Sequence, residues 1–185
     1  AVDTRHLDDN YQAGYGYFLF ELLRNMTSRY STHEFLFISD KPYSSNFSFD
    51  KNVTTVITGP ATTNPLWLKL WYDVKLPRLI RKYKVDIFIG GPGVCSLTMN
   101  TPQCIFENDL SFLHYPSLLA KTETFFLKRY TKKFFQKARG VLASSASLKK
   151  ELADRFAVQP DKIVIVHGAP AKFNALNEME KDGVR

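Results

Sequence analysis

Cysteine is almost missing from this chain: Cys95 and Cys104 are the two present in 185 residues. Two cysteines cannot build the disulfide framework of a small secreted domain. The sequence therefore predicts free thiols in a reducing compartment, with a single bridge as the alternative. Long apolar runs are missing too, and no stretch approaches the ~20 residues of a membrane-spanning helix. No secretory leader is visible, because Ala1 opens directly into the strand-like Ala1-Val2-Asp3. The missing Met and the very short first strand predict trimming or processing at this end. Histidine is scarce, with four in the chain, and no Cys or His pair lies three or four residues apart. The usual zinc spacings are thus absent, and no metal site is expected. There is neither a Walker loop nor a nucleophile elbow, and no internal repeat or low-complexity tract.

What is present reads as a globular α/β chain. Apolar residues make up 44%, and the length suits one domain or slightly more. A fold of this size buries roughly 70% of its extended-chain surface, enough for its own core. The formal charge of +7 suits anionic partners such as phosphates, acidic lipids or nucleic acid.

Strand and helix patterns alternate along the chain. Strands are expected at Val2 to Thr4, Glu34 to Ser39, Val53 to Thr58, Val85 to Ile89, Gln103 to Glu107, Val141 to Ala143 and Lys162 to Val166. Helices are expected over Tyr15 to Arg29, with Phe18, Leu22, Leu23 and Met26 on one face, and from Asn64-Pro65, with Trp67, Leu70, Trp71 and Val74. Pro77 should kink or restart that second helix, because it lacks an N–H and its ring clashes with the preceding turn. A long helix follows from Leu118 to Lys137, with Leu119, Thr122, Phe126, Tyr130 and Phe134 as its apolar stripe. Ser144, Ser145 and Ser147 offer N-caps for a last helix, Leu148 to Phe156. This alternation predicts a Rossmann-like, doubly wound, mainly parallel sheet of about seven strands with helices on both faces. The domain spans 1–170, and the polar 171–185 reads as the start of a linker.

Residues able to do chemistry fall directly after the strands. In an open parallel sheet those positions share the carboxyl-terminal rim, where such sheets bind ligands. Gly14, Gly90, Asp109, Ser145 and His167 should therefore lie along one edge. Gly14 and Gly16, with Tyr17 beside them, follow the first strand; they allow close backbone approach to an anion or form a plain turn. Gly90, Gly91 and Gly93 stop the fourth strand. Asn108-Asp109 ends the fifth, where the carboxylate either orients a sugar hydroxyl or caps the turn. His114 is a cleft acid, base or ligand, or else a hydrogen-bonded loop residue. The long helix carries Lys121, Lys128, Arg129, Lys132, Lys133, Lys137 and Arg139 against Glu123 alone. Such a face either lies on an anionic membrane or is simply solvated.

Four stretches stand out together: Val2-Asp3-Thr4-Arg5 with Gly14-Tyr15-Gly16-Tyr17 and Glu21-Leu22-Leu23; Leu76-Pro77-Arg78-Leu79-Ile80 before Val85-Asp86-Ile87-Phe88; Asp109 through Pro116; and Ser144-Ser145-Ala146-Ser147 followed by Lys162 through Gly168. In this order they resemble the N-terminal domain of family 4 glycosyltransferases, retaining enzymes of the GT-B architecture. The resemblance implies the acceptor-side half of a bacterial hexosyltransferase. Such an enzyme moves a sugar from a nucleotide-sugar donor to a glycan or lipid-linked acceptor hydroxyl, as in polysaccharide biosynthesis. It implies catalytic positions at Asn108 and Asp109. It places Gly14, Gly16 and Tyr17 toward the donor, Gly90, Gly91 and Gly93 toward the acceptor, and His114 and Ser145 at the substrate. Asn108 stands where the family usually has His, and Asn cannot titrate. The family's nucleotide-sugar domain lies outside this chain, so no turnover by the chain alone is expected. No cofactor is implied, since the donor is a substrate. The implied location is cytoplasmic, peripheral on the inner face of the membrane. The alternative is a non-catalytic α/β module that docks a protein or an anionic membrane surface. Nucleic-acid binding lacks a reader motif and is not expected.

Overall fold

A computed structural model describes residues 1–7, 14–42, 47–59, 61–62 and 64–167. Seven strands form one sheet: β1 (Val2–Asp3), β2 (Phe35–Ser39), β3 (Val53–Ile57), β4 (Phe88–Pro92), β5 (Gln103–Glu107), β6 (Gly140–Ala143) and β7 (Ile163–Ile165). Their order is β3-β2-β1-β4-β5-β6-β7. Every pairing is parallel. This is the expected Rossmann-like α/β sheet. The helices are α1 (Gly14–Arg29), α2 (Pro65–Leu70), α3 (Leu76–Lys82), α4 (Ser111–His114), α5 (Lys121–Lys137) and α6 (Ala146–Phe156).

The period-2 pattern of β2 shows how the two faces are covered. Phe37 joins Val2 and the α1 residues Leu19 and Leu23 in one buried cluster. Leu36 and Ile38 point the other way, into a larger cluster with Leu76 and Ile80 of α3, Phe134 and Phe135 of α5, and Leu148 and Leu152 of α6. Helices therefore lie on both faces. The buried stripe of α1 is Leu19, Leu23 and Thr27, one position away from the stripe the sequence suggested. Phe18 turns instead toward Phe106, with ring centroids 4.6 Å apart.

The segment before β4 departs most from its local pattern. Asn64 caps α2 as expected, accepting from the amides of Leu66 and Trp67. The chain then widens into a π-helical turn over Trp71–Lys75 before α3 begins. Pro77 explains the widening. It has no N–H to give the carbonyl of Asp73, and that carbonyl takes the Thr98 hydroxyl instead, at 2.6 Å. The Leu76 amide reaches back five residues to Trp71. The extra residue in the turn rotates the stripe, so the buried positions are Trp71, Tyr72, Leu76 and Ile80. Trp67, Leu70 and Val74, expected on the core face, are left exposed.

β4 is a second correction. It starts at Phe88, not Val85, and runs through Gly90 and Gly91 rather than stopping at them. Pairing with β5 carries it through, with a register shift between Gly90 and Pro92. The glycines fit because side chains would not: a Cβ on Gly90 would meet the Val94 carbonyl oxygen at 2.7 Å. The long helix likewise begins later than expected, because Pro116–Leu118 forms a separate 3₁₀ turn.

Candidate functional site

The strand order reverses between β1 and β4. From β1 the chain winds outward through β2 and β3, and from β4 it winds the other way. At such a switch point the carboxyl-end loops diverge and leave a crevice. A cleft of about 640 Å³ opens there, within the size range of small-molecule sites. One wall is polar: Arg5 and His6 follow β1, Asp40 and Lys41 follow β2, and Thr62 lies beyond β3. The other wall is mainly apolar, from Leu68 of α2, Val94 beyond β4, and Phe126 and Leu127 of α5, with Thr122 and Glu123 of α5 beside them. A second cavity, about 760 Å³, lies at the opposite, amino-terminal side of the sheet among residues such as Tyr30, His33, Tyr83 and Asp86. The first is the better candidate, since loops after four strands converge on it.

A buried charge network holds the polar wall. Asp3, the last residue of β1, is 1% exposed. The Arg5 guanidinium donates to it through Nε at 3.0 Å to Oδ1 and Nη2 at 2.8 Å to Oδ2. Tyr72 donates its hydroxyl to Asp3 Oδ2 at 2.5 Å and accepts the Gly91 amide at 3.1 Å. Arg5 Nη1 donates to Thr62 Oγ1 at 2.6 Å, and Thr62 donates its hydroxyl and amide to Asp40 at 2.7 and 2.6 Å. The guanidinium carbon also sits 4.6 Å from the Trp71 ring centroid. Burial alone would raise the Asp3 carboxyl. Arg5 outweighs it and holds Asp3 below the ordinary carboxylate value. Burial, and then Asp3, push the Tyr72 hydroxyl well up, so it stays a neutral donor. The loops after β1, β2 and β3, the β4 strand and the π-turn are thus tied together.

Gly91 is part of this knot. A Cβ there would lie 2.9 Å from Asp3 Oδ2 and 3.3 Å from the Tyr72 oxygen. Gly91→Ala is expected to destabilise by about 1–3 kcal/mol, as overpacking in a tight interior does. Gly14→Ala meets no atom of the described residues within 4 Å and carries the strain of its positive φ, about 1 kcal/mol. Urea midpoints of the two variants measure the difference. Equal midpoints would show that the Asp3–Tyr72 contact gives way freely.

Glu107 closes the other side of the rim. It is 3% exposed, and its Oε1 accepts the amides of Asn108 and Asp109 at 3.0 and 3.1 Å. Burial pushes its carboxyl up to about 7, against the lowering effect of those two amides.

The expected site residues all lie on the carboxyl-terminal side of the sheet, but none lines the cleft. Gly14 opens α1 with φ +68°. Gly16 and Tyr17 sit inside the first turn of that helix and not in a loop. Gly90 and Gly91 are within β4, and Gly93 follows it with φ +64°. Asn108 and Asp109 are exposed at the rim. Asp109 accepts the Ser111 amide at 2.6 Å and the Ser111 hydroxyl at 2.8 Å, the geometry of a turn cap. His114 lies within 2.7 Å of Glu151 in α6. Ser145 caps α6 through the Leu148 amide. His167 follows β7 on the same edge. Residues 168–185 lie outside the described residues, as does the Gln12-Ala13 part of the glycine segment. Sequence reasoning missed Arg5, His6, Asp40 and Thr62. The same carboxyl-end rule could have found the first two, directly after β1. Among the described residues, no three His, Cys, Asp or Glu side chains are grouped to hold a metal ion.

Fold and cleft define an open, doubly wound α/β domain with a cleft at its switch point. Sequence comparison then places it: the match to Glycosyltransferase Family 4 covers residues 13–169, and the chain belongs to that family. Its structure is similar to that of a glycosyltransferase from Rickettsia africae ESF-5, with a TM-score of 0.51 and 18% identity. The match covers 90% of this chain and 41% of that one. The likeness is one of fold, and this chain spans under half the length of that protein. No curated protein matches the sequence.

Proposed function

We propose that this chain is the acceptor-side, N-terminal domain of a retaining glycosyltransferase that moves a hexose from a nucleotide sugar to a glycan or lipid-linked hydroxyl. The observation that carries this reading is the two-walled cleft at the switch point of a family 4 chain. Arg5, His6, Asp40 and Thr62 offer hydrogen bonds to a hydroxylated acceptor, while Leu68, Val94, Phe126 and Leu127 offer it an apolar wall. Asn108 and Asp109 border the reacting centre from the exposed end of β5. Asn108 stays neutral at every pH and acts as a hydrogen-bond partner. Gly14 and the first turn of α1, with Gly16 and Tyr17, present free N–H groups toward the donor phosphates. The donor is a substrate, and no cofactor or metal enters the proposal. The base and ribose are held by a second domain, so this chain alone should turn nothing over.

The test is transfer by the full-length protein from a panel of labelled nucleotide sugars, with the new anomeric configuration read by NMR. Retention supports the proposal. Inversion removes the retaining assignment. No transfer from any donor returns the chain to the rival reading, a non-catalytic docking module.

A specific observation adds a place of work. Leu66, Trp67, Leu70 and Val74 are 68, 46, 42 and 37% exposed. Trp67, Leu70 and Val74, with Lys75 and Arg78, surround an apolar hollow of about 200 Å³. Apolar and indole groups flanked by cations suit the headgroup region of an anionic bilayer. No described helix is long and apolar enough to cross a membrane; the contact in this reading is peripheral, on the inner face in the cytoplasm. The sequence pointed to the basic face of α5; the exposed apolar groups favour α2 and the π-turn. The chain should sediment with anionic vesicles and not with neutral ones, less so in high salt. Trp67→Ser with Leu70→Ser should weaken that binding by about tenfold, the loss of roughly 1.4 kcal/mol of burial. Equal recovery with both vesicle types would remove the membrane from the proposal.

A further inference from the structure

The last residue of β5 is a carboxyl with no cation against it among its described contacts. Glu107 is buried, and one oxygen takes both amides that follow it, at 3.0 and 3.1 Å. Its other oxygen lies 2.8 Å from where a Cβ on residue 93 would stand. Gly93 also has φ +64°, so two independent demands keep a side chain out of that place. A turn of this kind needs no buried carboxyl. The neighbouring turn is already capped by Asp109, through the Ser111 amide and hydroxyl. Glu107 therefore does something the turn alone does not require.

We propose that Glu107 is a positioning residue: it fixes the Asn108–Asp109 backbone against Gly93, and its ionisation sets how firmly that rim is held. The inference rests on the reading that Asn108 and Asp109 border the reacting centre. An ionised acceptor makes stronger amide bonds than a neutral one, and low local dielectric enlarges the difference. Among the described residues, the groups facing the carboxyl are few. Asp109, on its own segment, opposes ionisation. Tyr15 of α1 senses Glu107, but burial keeps that phenol neutral. The neighbouring strands bring Gly93, just past β4, and Ala143 of β6, neither of which titrates. With its carboxyl pushed up to about 7, Glu107 changes charge within the working range of most cells.

The test is an amide NMR titration of the 185-residue chain, which owns its core. Between pH 5.5 and 8.5 the Asn108 and Asp109 amides should move together with one midpoint near 7, and Glu107→Gln should abolish the movement. Gly93→Ala is a second variant. It should displace both resonances by pushing on the carboxyl, even if Glu107→Gln folds poorly. In the full-length protein, transfer at pH 6 should be about tenfold slower than at pH 8, the ratio of ionised carboxyl for a midpoint of 7. That inflection should vanish in Glu107→Gln. Amides that stay still, or an inflection that survives the substitution, would overturn the proposal. Co-titrating amides in a protein that transfers no sugar would instead sink the glycosyltransferase reading and leave the positioning role standing.

Discussion

Arg5→Met is expected to lower stability by about 3–5 kcal/mol near pH 8, the usual loss when one partner of a buried ion pair is removed. The size comes from what remains. Asp3 is fully enclosed, and without Arg5 its charge keeps the Tyr72 hydroxyl and the Arg5 backbone amide as partners, at 2.5 and 3.1 Å. Two neutral donors do not offset the removal of a carboxylate from water. The pH dependence gives the effect a signature. In the wild type the Asp3 carboxyl is depressed. Its contribution is present above the ordinary carboxylate value and is lost as pH falls through the depressed one. In Arg5→Met, burial without the cation raises the same carboxyl. The variant then regains stability as pH falls through that raised value, because the protonated form is the one the site tolerates. The difference between the two proteins should therefore be largest near pH 8 and should shrink by pH 5. Urea denaturation at both pH values measures it. A constant difference, or one below about 1 kcal/mol, would mean that Asp3 does not depend on Arg5.

The same network shows why the rim was legible in the sequence and the cleft less so. A strand followed by a polar or glycine residue is a local signal, and it placed Gly14, Asp109, Ser145 and His167 on one edge without any tertiary information. The caps Asn64 and Ser145 were local too: each uses its own side chain on an amide two or three residues ahead. What could not be read was set by distant partners. The strand before Arg5 was legible, but the role of Arg5 rests on Thr62 and Tyr72, which the fold brings from 57 and 67 residues away. The π-turn depends on Thr98 replacing the amide that Pro77 lacks, twenty-one residues beyond that proline. β4 runs through its glycines because β5 pairs with it there. Asp40 and Thr62 meet Arg5 through loops that no periodicity describes. Glu107 read as an ordinary strand residue, since nothing local reveals that its carboxyl is enclosed.

Glu107→Gln is expected to make the protein more stable at pH 8. The glutamine oxygen keeps both amide bonds, and its NH₂ takes the place of the oxygen beside Gly93. The substitution therefore removes a buried charge without removing a contact. The sign follows from the raised carboxyl. A group that binds its proton more tightly in the folded state stabilises the fold at low pH, and that stabilisation is lost as pH rises through the folded value. For Glu107 the window runs from the ordinary 4.5 to about 7. Across it the wild type should lose on the order of 3 kcal/mol relative to Glu107→Gln, at 1.36 kcal/mol for each pH unit of difference. Below pH 4.5 the two proteins should unfold at nearly the same urea concentration, because protonated glutamate and glutamine are near isosteres. Groups common to both proteins cancel in the difference. A residue that destabilises the fold at neutral pH, beside the Asn108–Asp109 rim, is what a stability–activity trade-off predicts for a working position. If Glu107→Gln is instead less stable at pH 8 by more than about 1 kcal/mol, the ionised carboxyl is a net structural asset and its amide bonds outweigh burial.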